Sequence, residues 1–323
     1  MKKTAIITGI LGQDGPYLAK LLLEKGYTVY GIMQRYSNPN LSNLEYLGIE
    51  KDVILITGDV SDDANISHII KTIKPNEFYN LAAQSFVGAS WELSKSTSEI
   101  NAMGVLNILN AIKTNSPSTK FYQASTSEMY GNADVDILNE DTPFRPASPY
   151  AVAKLYAYWI TRNYRDSYSL FTSNGILFNH ESPLRGKEFV TRKISDGIAR
   201  IKLGLQDHIS LGNIDSARDW GFAGDYVEAM WLMLQHDTPG DYVVGTGQRH
   251  TIKEFLQEGF AHVGIDDWEK YIKIDARYVR PVDVKYLCAD ASKAQRELGW
   301  TPKVTFKGLV HMMIDADLNI LGS

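Results

Sequence analysis

Two short strings carry reactive side chains at useful spacing. In Ser148-Pro149-Tyr150-Ala151-Val152-Ala153-Lys154, a tyrosine and a lysine stand four residues apart. Ser148 suits a helix N-cap and Pro149 the first helical position, so the pair lies one turn apart on one helix face. A free tyrosine, with a pKa of about 10, is a poor base at neutral pH, and a nearby ammonium together with a positive nicotinamide ring favours its phenolate. Tyr150 with Lys154 therefore reads as a device for taking a proton from a hydroxyl. The same spacing also occurs in ordinary amphipathic helices. Position adds the weight: about 25 residues earlier, Gln123-Ala124-Ser125-Thr126-Ser127-Glu128 ends a strand-like run. Side chains two apart on a strand share a face, so Thr126 and Glu128 offer a polarising hydroxyl and a second acid–base group. Glu128 reads equally well as a salt-bridged loop carboxylate.

A third string, Thr8-Gly9-Ile10-Leu11-Gly12-Gln13-Asp14-Gly15, places Gly9, Gly12 and Gly15 at G-x-x-G-x-x-G spacing, with Gln13 and Asp14 between. It follows an apolar strand and opens a helix. Such a turn lets backbone approach a pyrophosphate, and the helix N-terminus supplies free N–H groups and partial positive charge. A dinucleotide with the ribose 2′-OH free would want an acid at the end of the second strand. Here Arg35 and Ser37 stand there, which suits a 2′-phosphate and favours NADP(H). Asp59, followed by Val60, is placed after the third strand to meet an adenine. The bland alternatives are a solvated charge for Arg35 and a helix N-cap for Asp59.

These groups need a scaffold that gathers distant segments. Apolar runs at Lys3–Thr8, Thr28–Met33, Val53–Thr57, Glu77–Leu81, Lys120–Ala124 and Phe171–Phe178 alternate with helical patterns at Pro16–Lys25, Ala64–Lys74, Thr97–Asn115 and Tyr150–Ser167. That alternation predicts an α/β fold, a Rossmann-type doubly wound parallel sheet with right-handed crossovers. Beyond His180 the pattern loosens into helices at Thr191–Leu203, Ala223–Gln235 and Ile252–Val263, with short strands near His208–Leu211 and Tyr242–Val244. This half predicts a smaller mixed α/β lobe. Residues 1–179 are expected to bind the cofactor, with 214–250 returning to that domain, and 180–323 to bind the substrate.

Composition narrows the partners. The 323 residues carry a net charge of -5, with 44% hydrophobic and 22% charged residues. That balance argues against a nucleic acid or an anionic membrane as partner. A single cysteine permits no intrachain disulfide and no cysteine-based metal site, and the opening apolar run is too short for a signal peptide. A cytoplasmic enzyme without a metal is expected.

Together these features resemble the extended short-chain dehydrogenases: the glycine turn, Asn80-Leu81-Ala82-Ala83, the Thr126-bearing strand end and the Tyr150/Lys154 pair. Longer strings narrow the resemblance to GDP-mannose 4,6-dehydratases: residues 9–15, NLAAQSFVG at 80–88, YQASTSEMYG at 122–131, SPYAVAKLYAYW at 148–159, NGILFNHESPLRG at 174–186 and RDWGFAG at 218–224. The resemblance runs nearly end to end. It implies a redox-neutral reaction in which Tyr150 removes the O4 proton, Glu128 takes the C5 proton and helps water leave from C6, and Thr126 polarises the 4-oxygen. The implied substrate is GDP-mannose and the implied product GDP-4-dehydro-6-deoxy-D-mannose.

The resemblance also assigns binding roles. Leu81, Ala82, Ala83, Ser85, His180 and Arg185 belong with the cofactor. Ser85, Asn179, Val190, Lys193, Arg218, Arg280 and Asp283 belong with the nucleotide-sugar. Asp283 stands where the family usually has glutamate, and Tyr36 where it often has a second arginine. The family's loop at that point reaches a neighbouring subunit, so a homodimer or homotetramer is implied, with Tyr36 weakening the case for the tetramer. Rival readings are a dehydratase for another GDP-sugar, a 4-epimerase, a 4-keto-6-deoxy reductase, or a silent dinucleotide-binding protein.

Overall fold

The computed structural model describes residues 2–275 and 288–322. Strands β1 (Thr4–Thr8), β2 (Thr28–Met33), β3 (Ile54–Thr57), β4 (Glu77–Asn80), β5 (Lys120–Thr126) and β6 (Thr172–Leu177) are followed by β7 (Asn179–Glu181), β8 (Trp220–Phe222) and β9 (Asp241–Val244). The main helices are α1 (Asp14–Glu24), α2 (Asp63–Ile73), α3 (Gly104–Asn115), α4 (Pro149–Tyr168), α5 (Val190–Lys202), α6 (Ala223–Gln235), α7 (Ile252–His262) and α8 (Phe306–Gly322). Seven strands form one sheet in the order β9-β6-β5-β4-β1-β2-β3, and every neighbouring pair is parallel. The order reverses beside β1, which opens a crevice at the carboxyl ends of β1 and β4. The Rossmann-type sheet is as the alternating pattern predicted.

Both faces of the sheet are covered. Leu18 and Leu22 of α1 pack with Met230 and Met233 of α6 on one side. Ile66 and Ile70 of α2, Ile108 and Leu109 of α3, and Ala157 of α4 fill the other. Residues buried on both faces read as continuous apolar runs rather than alternation, which is why the strands were legible. Each fully buried Ile or Leu contributes roughly 1.5–3 kcal/mol. A separate apolar cluster joins α5, α7 and α8 through Ile194, Ile198, Phe255, Phe260, Val310 and Met313. Short strands at Ile209–Leu211 and Ile272–Ile274 pair in parallel beside it. Among the described residues no helix is long and apolar enough to cross a membrane.

Several boundaries differ from the sequence expectation. The first helix begins at Asp14, before Pro16. The expected helix Thr97–Asn115 is interrupted by one π turn at Glu99–Met103 before α3 begins at Gly104. The expected strand Phe171–Phe178 ends at Leu177, and β7 then leaves the main sheet to pair with β8.

A buried polar ladder fixes the strand ends that carry the site. Thr8 Oγ1 donates to Asn80 Oδ1 at 2.7 Å and accepts from the amides of Leu81 and Ala82, both at 3.0 Å. Asn80 Nδ2 donates to Gln123 Oε1 at 2.8 Å. Fully satisfied buried polar groups of this kind pin register, so β1, β4 and β5 end at fixed relative heights.

Candidate active site

The glycine turn is shaped by contacts as well as by its conformation. Gly9 has φ +68°, and a Cβ there would lie 2.9 Å from the Leu81 carbonyl carbon. A Cβ on Gly15 would lie 2.6 Å from the Gly9 carbonyl oxygen and from Ile10 Cα. Both neighbours are backbone and cannot give way, so these positions admit glycine alone. The turn closes through the Gly12 amide, which donates to the Gly9 carbonyl at 3.0 Å.

One cavity of about 1120 Å³ runs from Gly9, Gly12 and Gly15 past Lys154 and Tyr150 to Lys193 and Arg218. It is large enough for a dinucleotide and a second ligand end to end. A glycine turn at a helix N-terminus, at one end of such a cavity, fits a pyrophosphate. The cofactor reading and the geometry therefore agree at this end.

At the centre, Ser148 caps α4 as expected, its Oγ accepting from the Ala151 amide at 3.1 Å. Tyr150 and Lys154 are 8% and 4% exposed. Lys154 Nζ donates to the Ala124 carbonyl at 2.9 Å and lies 5.9 Å from the Tyr150 ring centre. The expected lowering of the phenol by this lysine is not found. Burial pushes Tyr150 up to about 12, against a hydrogen bond with Thr126 that lowers it, and the Glu128 charge raises it further. Burial also brings the Lys154 ammonium down to about 8, against the Asp14 charge that raises it. Desolvation outweighs the local pair in both groups.

Glu128 differs from expectation in a second way. β5 ends at Thr126, and Glu128 sits in a 3₁₀ turn, Ser127–Tyr130. Strand alternation therefore does not bring Thr126 and Glu128 together. Instead Thr126 caps the turn, its Oγ1 accepting from the Glu128 amide at 3.2 Å. The carboxylate is half-buried in the cavity wall, and no cation among the described residues pairs with it. Among the described residues the salt-bridged alternative finds no partner.

Of the other expected positions, Gln13, Asp14, Leu81, Ala83, Ser85 and Asn179 line the cavity. So do His180, Arg185 and Val190. His180 Nε2 lies 2.8 Å from Asp14 Oδ2, and Arg185 pairs with Glu181 at 3.1 Å. Arg35, Ser37, Asp59, Val60 and Ala82 do not line it. Arg35 and Ser37 are exposed beyond the end of β2. Asp59 accepts from Gln34 Nε2 at 2.8 Å and from the Ser61 amide at 2.9 Å. It is not the helix cap of the bland alternative: Asp62 caps α2, accepting from Asn65 N at 3.0 Å. Arg280 and Asp283 lie outside the described residues.

The sequence reading missed Phe86, Phe189, Asn213, Ser216 and Trp220 in the cavity wall. Phe86 and Phe189 meet edge to face, their ring centres 5.9 Å apart. No spacing signals such residues, because the fold brings them together from segments far apart in sequence.

The GDP-mannose 4,6 dehydratase family model matches residues 6–313 of the chain. The chain is 50% identical to GDP-mannose 4,6 dehydratase 1 of Arabidopsis thaliana, over 99% of this chain and 91% of that one. It is 48% identical to the GDP-mannose 4,6 dehydratase of Cricetulus griseus, over 99% and 92%. Among solved structures, it superposes with a TM-score of 0.84 on the Thermus thermophilus UDP-glucose 4-epimerase complex with NAD. That match has 26% identity and covers 97% of this chain and 98% of the other.

Proposed function

The chain belongs to the GDP-mannose 4,6-dehydratase family, and on that premise we propose how its cavity turns GDP-D-mannose into GDP-4-dehydro-6-deoxy-D-mannose and water. The convergence of Tyr150, Thr126 and Glu128 in one cavity with the glycine turn carries the reading. Bound NADP(H) supplies the chemistry of accepting hydride from C4 and returning it to C6. Tyr150 takes the proton from O4, and Thr126 holds the 4-oxygen by hydrogen bond. A ketone at C4 acidifies the neighbouring C5–H, whose proton Glu128 accepts. Glu128 then protonates the departing C6 hydroxyl, and C5 regains a proton at the end. The substrate loses one water and gains or loses no electrons overall.

Glu128 separates this reading from 4-epimerisation, which needs a hydride carrier and one tyrosine but no base near C5. Similarity of fold to an epimerase does not bear on that chemistry. Asn179, Val190, Lys193 and Arg218 line the far half of the cavity, where they hold the nucleotide-sugar. Arg35 and Ser37, with no acid beside them at the end of β2, favour NADP(H) over NAD(H).

An apolar stripe supports a homodimer. Val152, Tyr156 and Trp159 follow i, i+4, i+7 spacing along α4 and are 56%, 40% and 48% exposed, with Trp91 exposed as well. Large apolar patches of this kind mark interfaces. Cytoplasmic operation fits a single, buried, unpaired Cys288.

The test is direct. The purified protein, given GDP-mannose and no added cofactor, forms a 4-keto-6-deoxy product without net consumption of NADPH. An unchanged sugar rejects the reading.

A further inference from the structure

The contact between Asp14 and His180 has a charge requirement of its own. His180 Nδ1 lies 2.8 Å from the Phe178 carbonyl oxygen, and Nε2 lies 2.8 Å from Asp14 Oδ2. Both partners are acceptors. A neutral imidazole carries one N–H and leaves one of these contacts without a proton, whereas an imidazolium satisfies both. The side chains of His180 and Asp14 are only 12% and 19% exposed, so water does little to replace a missing bond.

Charged and aromatic groups from several elements bear on His180. Asp14 faces it from α1, and the Tyr226 ring from α6 stacks on it at 4.7 Å between centres. Arg185 opposes the imidazolium from the following loop, but it is itself paired with Glu181 at 3.1 Å. On α4, the Lys154 ammonium is raised by the same Asp14 charge. Asp14 is thus a shared counter-ion. Burial by itself works against charge on His180, but the Asp14 charge and hydrogen bond, with the Phe178 carbonyl, outweigh it and hold the imidazole above its ordinary value. Burial likewise opposes the Asp14 carboxylate, and His180, with Arg185 and Gln13, outweighs it in turn.

Uncharged stitches accompany the pair. Gln13 Nε2 donates to the His180 carbonyl at 3.0 Å, and Ser182 Oγ donates to Gln13 Oε1 at 3.0 Å. These bonds join the glycine turn to β7 at any pH. The charge pair is the part that titrates.

We propose that Asp14 is a positioning residue that keeps His180 as an imidazolium, and that this pair clamps the glycine turn to β7 and makes dinucleotide affinity fall as pH rises. An anionic pyrophosphate at the turn favours the same charge on His180, so by linkage the ligand and the proton support each other. The loss follows His180 deprotonation, up to about tenfold in affinity per pH unit, the limit for one linked proton. The inference rests on the cofactor reading only for the identity of the bound anion.

Two measurements on the full-length protein test it. Nitrogen-15 histidine NMR of the ligand-free protein reads the charge on His180, and NADPH fluorescence titrations from pH 6 to 9 read affinity. The wild-type imidazole is expected to carry both protons at pH 6.5, and NADPH affinity to fall above that. Asp14→Asn is expected to make His180 neutral at pH 6.5 and to flatten the pH dependence at the weaker level. His180→Gln, which keeps a donor towards Asp14, is expected to flatten it as well. A neutral His180 at pH 6 in the wild type, or an unchanged pH slope in both variants, overturns the proposal. If NADH binds with that slope and NADPH does not, the clamp stands and only the cofactor assignment falls.

Discussion

Thr126 caps the turn that carries Glu128: its Oγ1 accepts the Glu128 amide at 3.2 Å, so one threonine fixes the acid–base group and points towards Tyr150 as well. The hydroxyl thus has two duties, one to the backbone and one to the phenol. A change at Glu128 should separate chemistry from architecture. Glu128→Gln is expected to lower turnover by about 10²–10⁴, the usual worth of a positioned acid–base group, with NADPH affinity unchanged. Solvent-hydrogen exchange at C5 should disappear in parallel. Full turnover in this variant would remove Glu128 from the mechanism.

Thr126→Val keeps the volume and removes the cap. The loss of an N-cap costs about 1 kcal/mol, visible as a lower Tm, and turnover should fall with it because the 4-oxygen loses its partner. Thr126→Ser, which retains the hydroxyl, is expected to recover most of both. Stability and rate can thus be scored on the same pair of variants.

Lys154 gives a prediction in which stability and function oppose each other. Its amine stands at about 8 in the folded protein against 10.5 ordinarily, burial being the cause and Asp14 the opposing charge. Between those values the unfolded chain binds more protons, so stability of the ligand-free protein rises with pH from about 8 to 10.5. Below pH 8 the buried ammonium is a cost. Lys154→Met should therefore raise ligand-free stability at pH 7 by roughly 1–3 kcal/mol, less whatever the lost bond to Ala124 contributes, while turnover collapses. Denaturant unfolding at pH 7 and pH 10 reads the difference, which should shrink at the higher pH.

The buried pair Arg192–Asp317 joins α5 to α8 behind Lys193. Asp317→Ala leaves the Arg192 charge without its partner in a site where both side chains are almost fully buried. Breaking such a pair costs about 3–5 kcal/mol. Because α5 also carries Val190 and Lys193 into the cavity, KM for the nucleotide-sugar should rise at temperatures where the fold survives. An unchanged Tm would show that the pair is incidental.

What the sequence made legible follows from which signals are local. The parallel sheet was readable because its buried strands are continuous apolar runs, and α4 because Ser148 and Pro149 announce its start. Glu128 was readable by type but not by position, since the break after Thr126 depends on a cap rather than on periodicity. The pKa shifts of Tyr150 and Lys154 were not legible, because four-residue spacing reports proximity and says nothing of burial, the largest cause in both groups. Phe86 and Phe189 came from separate loops and Trp220 from β8, and no local spacing links them. Asp14 sat inside a recognised turn, yet only tertiary structure places His180 against it.

The central claim is that hydride leaves C4 and returns to C6 within one bound complex. The most direct measurement supplies GDP-mannose carrying deuterium at C4 and locates the label in the product. Deuterium at C6 of GDP-4-dehydro-6-deoxy-D-mannose is the expected result. Its appearance in free NADPH or in solvent, or its retention at C4, would contradict the mechanism.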